Sequence, residues 1–184
     1  MVVPSFQRTG HGCKAKGAAA CREAYATGEL SVPGTYQELS ACAKEHQCAV
    51  FDSEYNAAGQ GSTDVQAWRG LAEGTKMFVR CIASLRYEPF VVLRHTDATP
   101  AFDERFYGYG KNKVQLIAHL RLAGYSFEVV GKGFLCHFPH PQSSSKQAWL
   151  HSSAHASMDH LFNQFLTEVK ATYAGVKPAT PMCK

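Results

Sequence analysis

Strand-like and helix-like segments interleave along this chain, which predicts an α/β domain, with α+β as the alternative. Three observations carry the prediction. Short apolar runs bounded by glycine or proline, such as Pro89-Phe-Val-Val-Leu-Arg94, have the length and composition of strands. Segments with apolar residues at helical spacing, Asn112 to Ala123 and about 156–173, lie between and after them. A length of 184 residues with 45% hydrophobic content is enough for one sizeable core and too little for two comfortable domains. No internal repeat is visible.

Taken in order, residues 15–26 have helical composition. After Pro33-Gly34, Thr35 and Glu38 have capping-box spacing, in which hydroxyl and carboxylate each satisfy a free backbone N–H, so a helix is expected to about His46. The Gly/Ser/Asn-rich stretch Asn56 to Ser62 reads as a loop, leading to a helix start with Thr63 as cap and Asp64 favourably placed against the dipole. Met77 to Cys81 and Pro89 to Arg94 read as strands, the second apolar enough for burial on both faces. A polar, glycine-bearing loop, Ala101 to Gly110, precedes the helix Asn112 to Ala123, whose apolar face is Val114, Leu116, Ile117 and Leu120. Gly124 suits its left-handed C′ position. Tyr125 to Val130 and Gly133 to His137 look like two strands joined by the turn Gly131-Lys-Gly133. After Pro141 a Ser/His-rich segment gives way to an amphipathic helix over about 156–173.

The formal charge of +4, without a block of consecutive Lys or Arg, argues for an anionic ligand or for none and does not support a nucleic-acid reader. No run approaches the roughly 18 apolar residues of a membrane span, and Gln7 and Arg8 follow the first residues where a signal peptide would have its apolar core, so no targeting segment is read. The cysteines at 13, 21, 42, 48, 81, 136 and 183 form no Cys-x-x-Cys, and their odd number leaves at least one thiol unpaired or intermolecular. They leave the compartment open.

The densest candidate site is Phe102 to Lys113, which holds Asp103, Glu104, Arg105, two glycines and several aromatic residues. Carboxylates accept hydroxyl hydrogen bonds or a proton, and aromatic faces stack on sugar C–H surfaces, so the loop suits sugar binding or group transfer. The same residues also suit an acidic pair bridged to Arg105 that merely braces a loop. His137 and His140, at the end of an apolar strand, are the second candidate, because neutral imidazole is a directional metal ligand. His151 and His155 have i, i+4 spacing, but their Ser-rich surroundings favour a solvated helix start. Gly10-His-Gly12 lacks the Gly-Lys-Ser/Thr of a phosphate loop. No Gly-x-Ser-x-Gly elbow or papain-like cysteine context is present either.

Tyr87-Glu-Pro-Phe-Val-Val, Phe102-Asp-Glu-Arg-Phe-x-Gly-x-Gly-x-Asn-Lys113, Tyr125-x-Phe-Glu-Val and Gly133-Phe-Leu-x-His-x-Pro-His140 resemble, in order and spacing, the C-terminal half of glycosyltransferase family 49, the LARGE-like and beta-1,4-glucuronyltransferase-like enzymes. Val2-Val-Pro-Ser-Phe and Gly61-Ser-Thr-Asp-x-x-x-Trp68 extend the resemblance upstream, while the sequence beyond about 145 adds nothing to it. The resemblance divides the chain into an acceptor-side part, 1–145, and a Ser/His-rich segment with a C-terminal helix, 146–184.

It implies a partial GT-A-type fold, a mixed sheet flanked by helices, that transfers a sugar from a nucleotide sugar to a glycan or glycoprotein acceptor. By family pattern the sugar is glucuronate from UDP-glucuronate, transferred with inversion. The resemblance further implies Golgi residence and a manganese ion held in part by His137, with His140 as a second ligand. Asp103 becomes the base that takes the acceptor proton, with Glu104 in reserve, and Arg105, Asn112 and Lys113 hold acceptor or donor diphosphate. The family's Asp-x-Asp motif is absent from this sequence. The expectation is therefore an incomplete chain without its N-terminal donor-binding half, the alternative being a non-catalytic carbohydrate-binding or interaction module, or an inactive fragment.

Overall fold

A computed structural model describes the chain apart from residues 10–16, 55, 108 and 139–143, and apart from the side chains at 17, 18, 21, 150 and 154. In chain order the elements are β1 (Val2–Val3), β2 (Ser5–Arg8), α1 (Gly17–Ala26), α2 (Tyr36–Lys44), β3 (Cys48–Val50), α3 (Ala57–Gly61) and α4 (Val65–Arg69). They continue with β4 (Lys76–Phe78), β5 (Phe90–Val91), α5 (Asn112–Leu122), β6 (Glu128–Val130), β7 (Leu135–His137), α6 (Ser144–Leu150) and α7 (Ala154–Thr172). The class is mixed α/β, as expected.

Two mixed sheets form where one was expected: β4-β6-β1-β5 and β3-β2-β7. The first strands run alongside residues 128–137 through both sheets, β1 parallel to β6 and β2 parallel to β7. Pro4 divides them because proline has no N–H for the ladder, although its carbonyl still accepts from Leu135 N at 2.9 Å. The segment Gly131-Lys132-Gly133 is therefore a step between sheets and not a hairpin turn, which corrects the sequence expectation. Lys132 takes a left-handed φ of 63°, and a Cβ on Gly131 would strike the Ala72 carbonyl.

Trp68, Phe6, Tyr87, Leu120 and Val129 anchor the main core. Phe106, Val114, Ala118 and Leu122 build a second cluster with Phe162, Phe165, Leu166 and Val169 of α7. Helix α5 lies between the two clusters. It is buried nearly all round, Gln115 and Arg121 included, where the sequence pattern indicated one apolar face.

The Thr35–Glu38 capping box forms as read, and Gly124 takes φ 90° after the last turn of α5. Three other readings are corrected. Residues 57–61 are a short helix, and Asn56 before it is buried with its Nδ2 donating to Arg86 O. Asp64, and not Thr63, caps α4, its Oδ1 accepting from Ala67 N, while the Thr63 hydroxyl pairs with Tyr87 OH at 2.9 Å in the core. β5 is an edge strand paired only with β1, so Phe90 and Val92 remain 39% and 55% exposed where burial on both faces was expected.

The tail after α7 returns to the core. Met182 bridges Ile82 in parallel, Thr180 Oγ1 accepts from Phe127 N, and a disulfide joins Cys81 to Cys183. A second disulfide, Cys42–Cys48, ties α2 to β3. Cys136 is a half-buried thiol. Among the described residues, no helix is long and apolar enough to cross a membrane.

Candidate functional site

The loop before α5 is fixed at both ends. Phe106 inserts into the second cluster, edge-on to Phe162 and Phe165 at 6.3 and 5.7 Å between ring centroids. Upstream, Asp103 N donates to Oε1 of the fully buried Gln115 at 3.0 Å. With these two points set, Arg105 turns its guanidinium along the loop. Its Nε and Nη2 donate to the Asp103 carboxylate, and Nη1 and Nη2 form a fork on Glu168 of α7 at 3.1 and 2.6 Å. Bonding to Arg105 holds the Asp103 carboxyl below the usual carboxylate range, and the same fork lowers Glu168, so both stay ionised at neutral pH. Glu104 is exposed, and no hydrogen bond or ion pair of its carboxylate is recorded among the described residues.

The remaining sequence candidates lie apart from this triad. Asn112 turns its Oδ1 back to Lys113 N at 2.8 Å, inside the first turn of α5. Lys113 pairs with Glu88 at 3.2 Å and stands over the Phe90 ring at 5.6 Å. His137, half-buried on β7, stacks on Phe51 at 4.5 Å, and Phe51 in turn meets Phe90 edge-on at 6.5 Å. Asp52 belongs to the same surface. Burial first, and Glu88 second, push its carboxyl up, against Lys146, Lys113 and Arg86. His140 lies outside the described residues. Among those residues no group of three or more His, Cys, Asp or Glu side chains could hold a metal ion, so a manganese site at His137 would need ligands from outside the described residues.

Beside Arg105 opens a cleft of about 430 Å³, lined by Tyr107, Tyr109, Trp149, Met158 and Leu161 together with serines of α6 and α7. His137 is not among its walls. Sequence reasoning missed Trp149 and Glu168. The signal for the first was a large aromatic residue inside an otherwise polar Ser-rich stretch; the second sits on α7 four residues after Gln164, whose Nε2 donates to it. His155 does not pair with His151 but stacks on Trp149 at 4.2 Å, its Nε2 2.9 Å from Trp149 O.

The mixed α/β scaffold thus presents a carboxylate, a guanidinium and aromatic rings around an open cleft, groups that can bond the hydroxyls and cover the C–H faces of a sugar. The chain is a member of the glycosyltransferase family described as "Glycosyl-transferase for dystroglycan", whose family model matches residues 19–174 and so includes α6 and α7. It is similar to "Beta-1,4-glucuronyltransferase 1" of Bos taurus, 33% identical over 119 residues, which is 62% of this chain and 27% of that protein. It is also similar to "Xylosyl- and glucuronyltransferase LARGE2" of Rattus norvegicus, 33% identical over 114 residues, 62% of this chain and 16% of the relative. A third relative, "Glycosyltransferase-like protein LARGE" of Caenorhabditis elegans, is 30% identical over 91 residues, 50% of this chain and 14% of its own length. The chain thus matches about a quarter or less of these proteins.

Proposed function

We propose that this chain is the acceptor-side part of a GT-A-type glycosyltransferase that transfers a sugar from a nucleotide sugar to a glycan. On the model of the relatives' names, the sugar is glucuronate from UDP-glucuronate. The observation that carries the reading is the motif's braced stretch 102–107, which borders, together with Tyr109, an aromatic cleft open to a ligand. The small share of the relatives' length that the chain covers supports a donor-binding side outside it. In this reading Arg105, its charge already met by Asp103 and Glu168, bonds acceptor hydroxyls, Lys113 meets acceptor or donor diphosphate, and Asn112 orders the turn that carries Lys113. Bound manganese would neutralise the diphosphate leaving group, taking His137 as one ligand, His140 as a candidate second, and further ligands from outside the described residues. Golgi residence belongs to the same proposal, and two disulfides suit an oxidising compartment.

The geometry divides the two carboxylates. Asp103 is the motif's choice as base, yet Arg105 engages both of its oxygens, and a base must be open to the acceptor proton. Glu104 is the more open carboxylate, so Glu104→Gln and Asp103→Asn are the pair to compare. In the longer protein that carries this chain together with the donor-binding side, given UDP-glucuronate, manganese and oligosaccharide acceptors and followed by mass spectrometry, the expected result is transfer. The variant lacking the base should lose about 100-fold or more.

The second reading, a non-catalytic carbohydrate-binding module, is favoured by the Arg105 brace across Asp103. Acceptor binding indifferent to manganese and UDP-glucuronate, with no transfer, selects it. Neither transfer nor acceptor binding overturns both readings.

A further inference from the structure

We propose that the cleft between the 105–110 loop and helices α6 and α7 binds an uncharged sugar ring, stacked on Tyr107, Tyr109 and Trp149. This deepens the transferase reading and rests on it only for the ring's place in a reaction; binding itself requires no chemistry.

Three observations carry the inference. The first is presentation: Tyr107 is 83% exposed and Tyr109 39%, while Phe106 before them is only 4% exposed. A buried anchor thus holds an exposed aromatic platform in place, and aromatic surface held in water gains from being covered.

The second is shape. A cleft of about 430 Å³ is of small-ligand size, and its walls pair apolar Met158 and Leu161 with the hydroxyl-bearing Ser145 and Ser157. A pyranose has the matching character, with C–H faces for the rings and hydroxyls for the rim. The place of Trp149 is set by its neighbours. Gly110 has φ 103° and lies so close that a Cβ there would sit 3.0 Å from the indole, and His155 stacks on the same ring system.

The third is charge. Arg105 is the cation in the cleft wall, and it is flanked by the Asp103 and Glu168 carboxylates at 2.6 Å each. Lys111, next along the loop, is paired with Asp159. A carboxylate or phosphate entering here meets no uncompensated positive charge, whereas a neutral ring loses nothing by that. The bonds to Asp103 and Glu168 leave, among the described residues, one Nη1 hydrogen of Arg105 to donate to a sugar oxygen.

The chain carries its own reporter. Its other tryptophan, Trp68, is 1% exposed with Nε1 bonded to Val130 O, so ligand-dependent tryptophan emission comes from Trp149. Purified chain is titrated with methyl β-D-glucopyranoside and cellobiose, and with glucuronic acid as the charged comparator. The expected result is a saturable change in emission with the neutral sugars and binding of glucuronic acid at least about fivefold weaker. Tyr107→Ala, which removes an exposed ring, should weaken neutral-sugar binding about tenfold, equivalent to ~1.4 kcal/mol, with circular dichroism and Trp68 emission unchanged.

The proposal is overturned by no saturable response to either neutral sugar, by glucuronic acid binding as tightly as they do, or by wild-type affinity in Tyr107→Ala. Neutral-sugar binding lost in Tyr107→Ala supports it whether or not transfer is detected. Transfer that proceeds with unchanged kcat and KM in Tyr107→Ala, without a titration, overturns the cleft and leaves the transferase reading standing.

Discussion

The guanidinium of Arg105 donates to Glu168 at 2.6 Å across 63 residues of sequence, while its other edge holds Asp103. Both Arg105 and Glu168 are more than 40% exposed, at 42% and 44%, so the pair contributes little to overall stability. Its effect is positional: it ties the motif loop to α7 and sets one wall of the aromatic cleft.

Acid should loosen that tie before it unfolds the chain. The folded-state pKa values of Asp103 and Glu168 are depressed, so their contribution is present above the unfolded carboxylate pKa, about 4, and is lost as pH falls through the folded values. Protection of the 103–107 amides against hydrogen exchange, taken relative to the intrinsic rate at each pH and followed from neutral pH downward, should fall below about pH 4. Asp103→Asn should exchange faster already at neutral pH and show a flatter pH response. An unchanged profile in that variant would remove the brace from the account.

His119 gives a second acid step, nearer neutrality. Burial lowers its pKa, against the pull of Asp103, and its buried Nδ1 has no hydrogen-bond partner among the described residues, with Phe165 and Tyr173 against the ring. The unfolded chain takes up the proton first, so stability is full above about pH 6.5 and declines below it. His119→Phe should flatten the dependence of the denaturation midpoint between about pH 5 and 7, whatever it does to absolute stability.

Gly110→Ala combines a positive φ of 103° with a tight 3.0 Å contact against the Trp149 indole. A cost of roughly 1 kcal/mol or more is expected, with tryptophan emission shifted to the red as the indole moves into water. Emission and midpoint both at parent values would show that the indole is not held by this contact.

The Cys81–Cys183 bridge closes 102 residues and Cys42–Cys48 only 6. Loop-closure entropy makes the long bridge the more stabilising, by about 2–4 kcal/mol. Guanidinium unfolding of the Cys81→Ser/Cys183→Ser and Cys42→Ser/Cys48→Ser chains should rank them in that order. The opposite order would show that the tail is held by its hydrogen bonds to Ile82 and Phe127 without help from the disulfide.

Local pattern determined what local physics controls: the Thr35 capping box, the span of α5 ending at Gly124, the long C-terminal helix, and the motif loop with its Asp103–Arg105 pair. Each depends on residues within a turn or two of one another. Tertiary structure alone decided the rest. Two sheets replace the one expected because Pro4 has no N–H to carry the ladder on, while the step at Gly131-Lys132-Gly133 takes the parallel chain from the first sheet to the second. Thr63 leaves its expected capping place because Tyr87, far along the chain, offers its hydroxyl a partner in the core. The candidate residues likewise separate, with Asp103 and Arg105 drawn to Glu168 and His137 drawn to Phe51. Those partners come from other elements, and no spacing within a motif encodes where another element will pack.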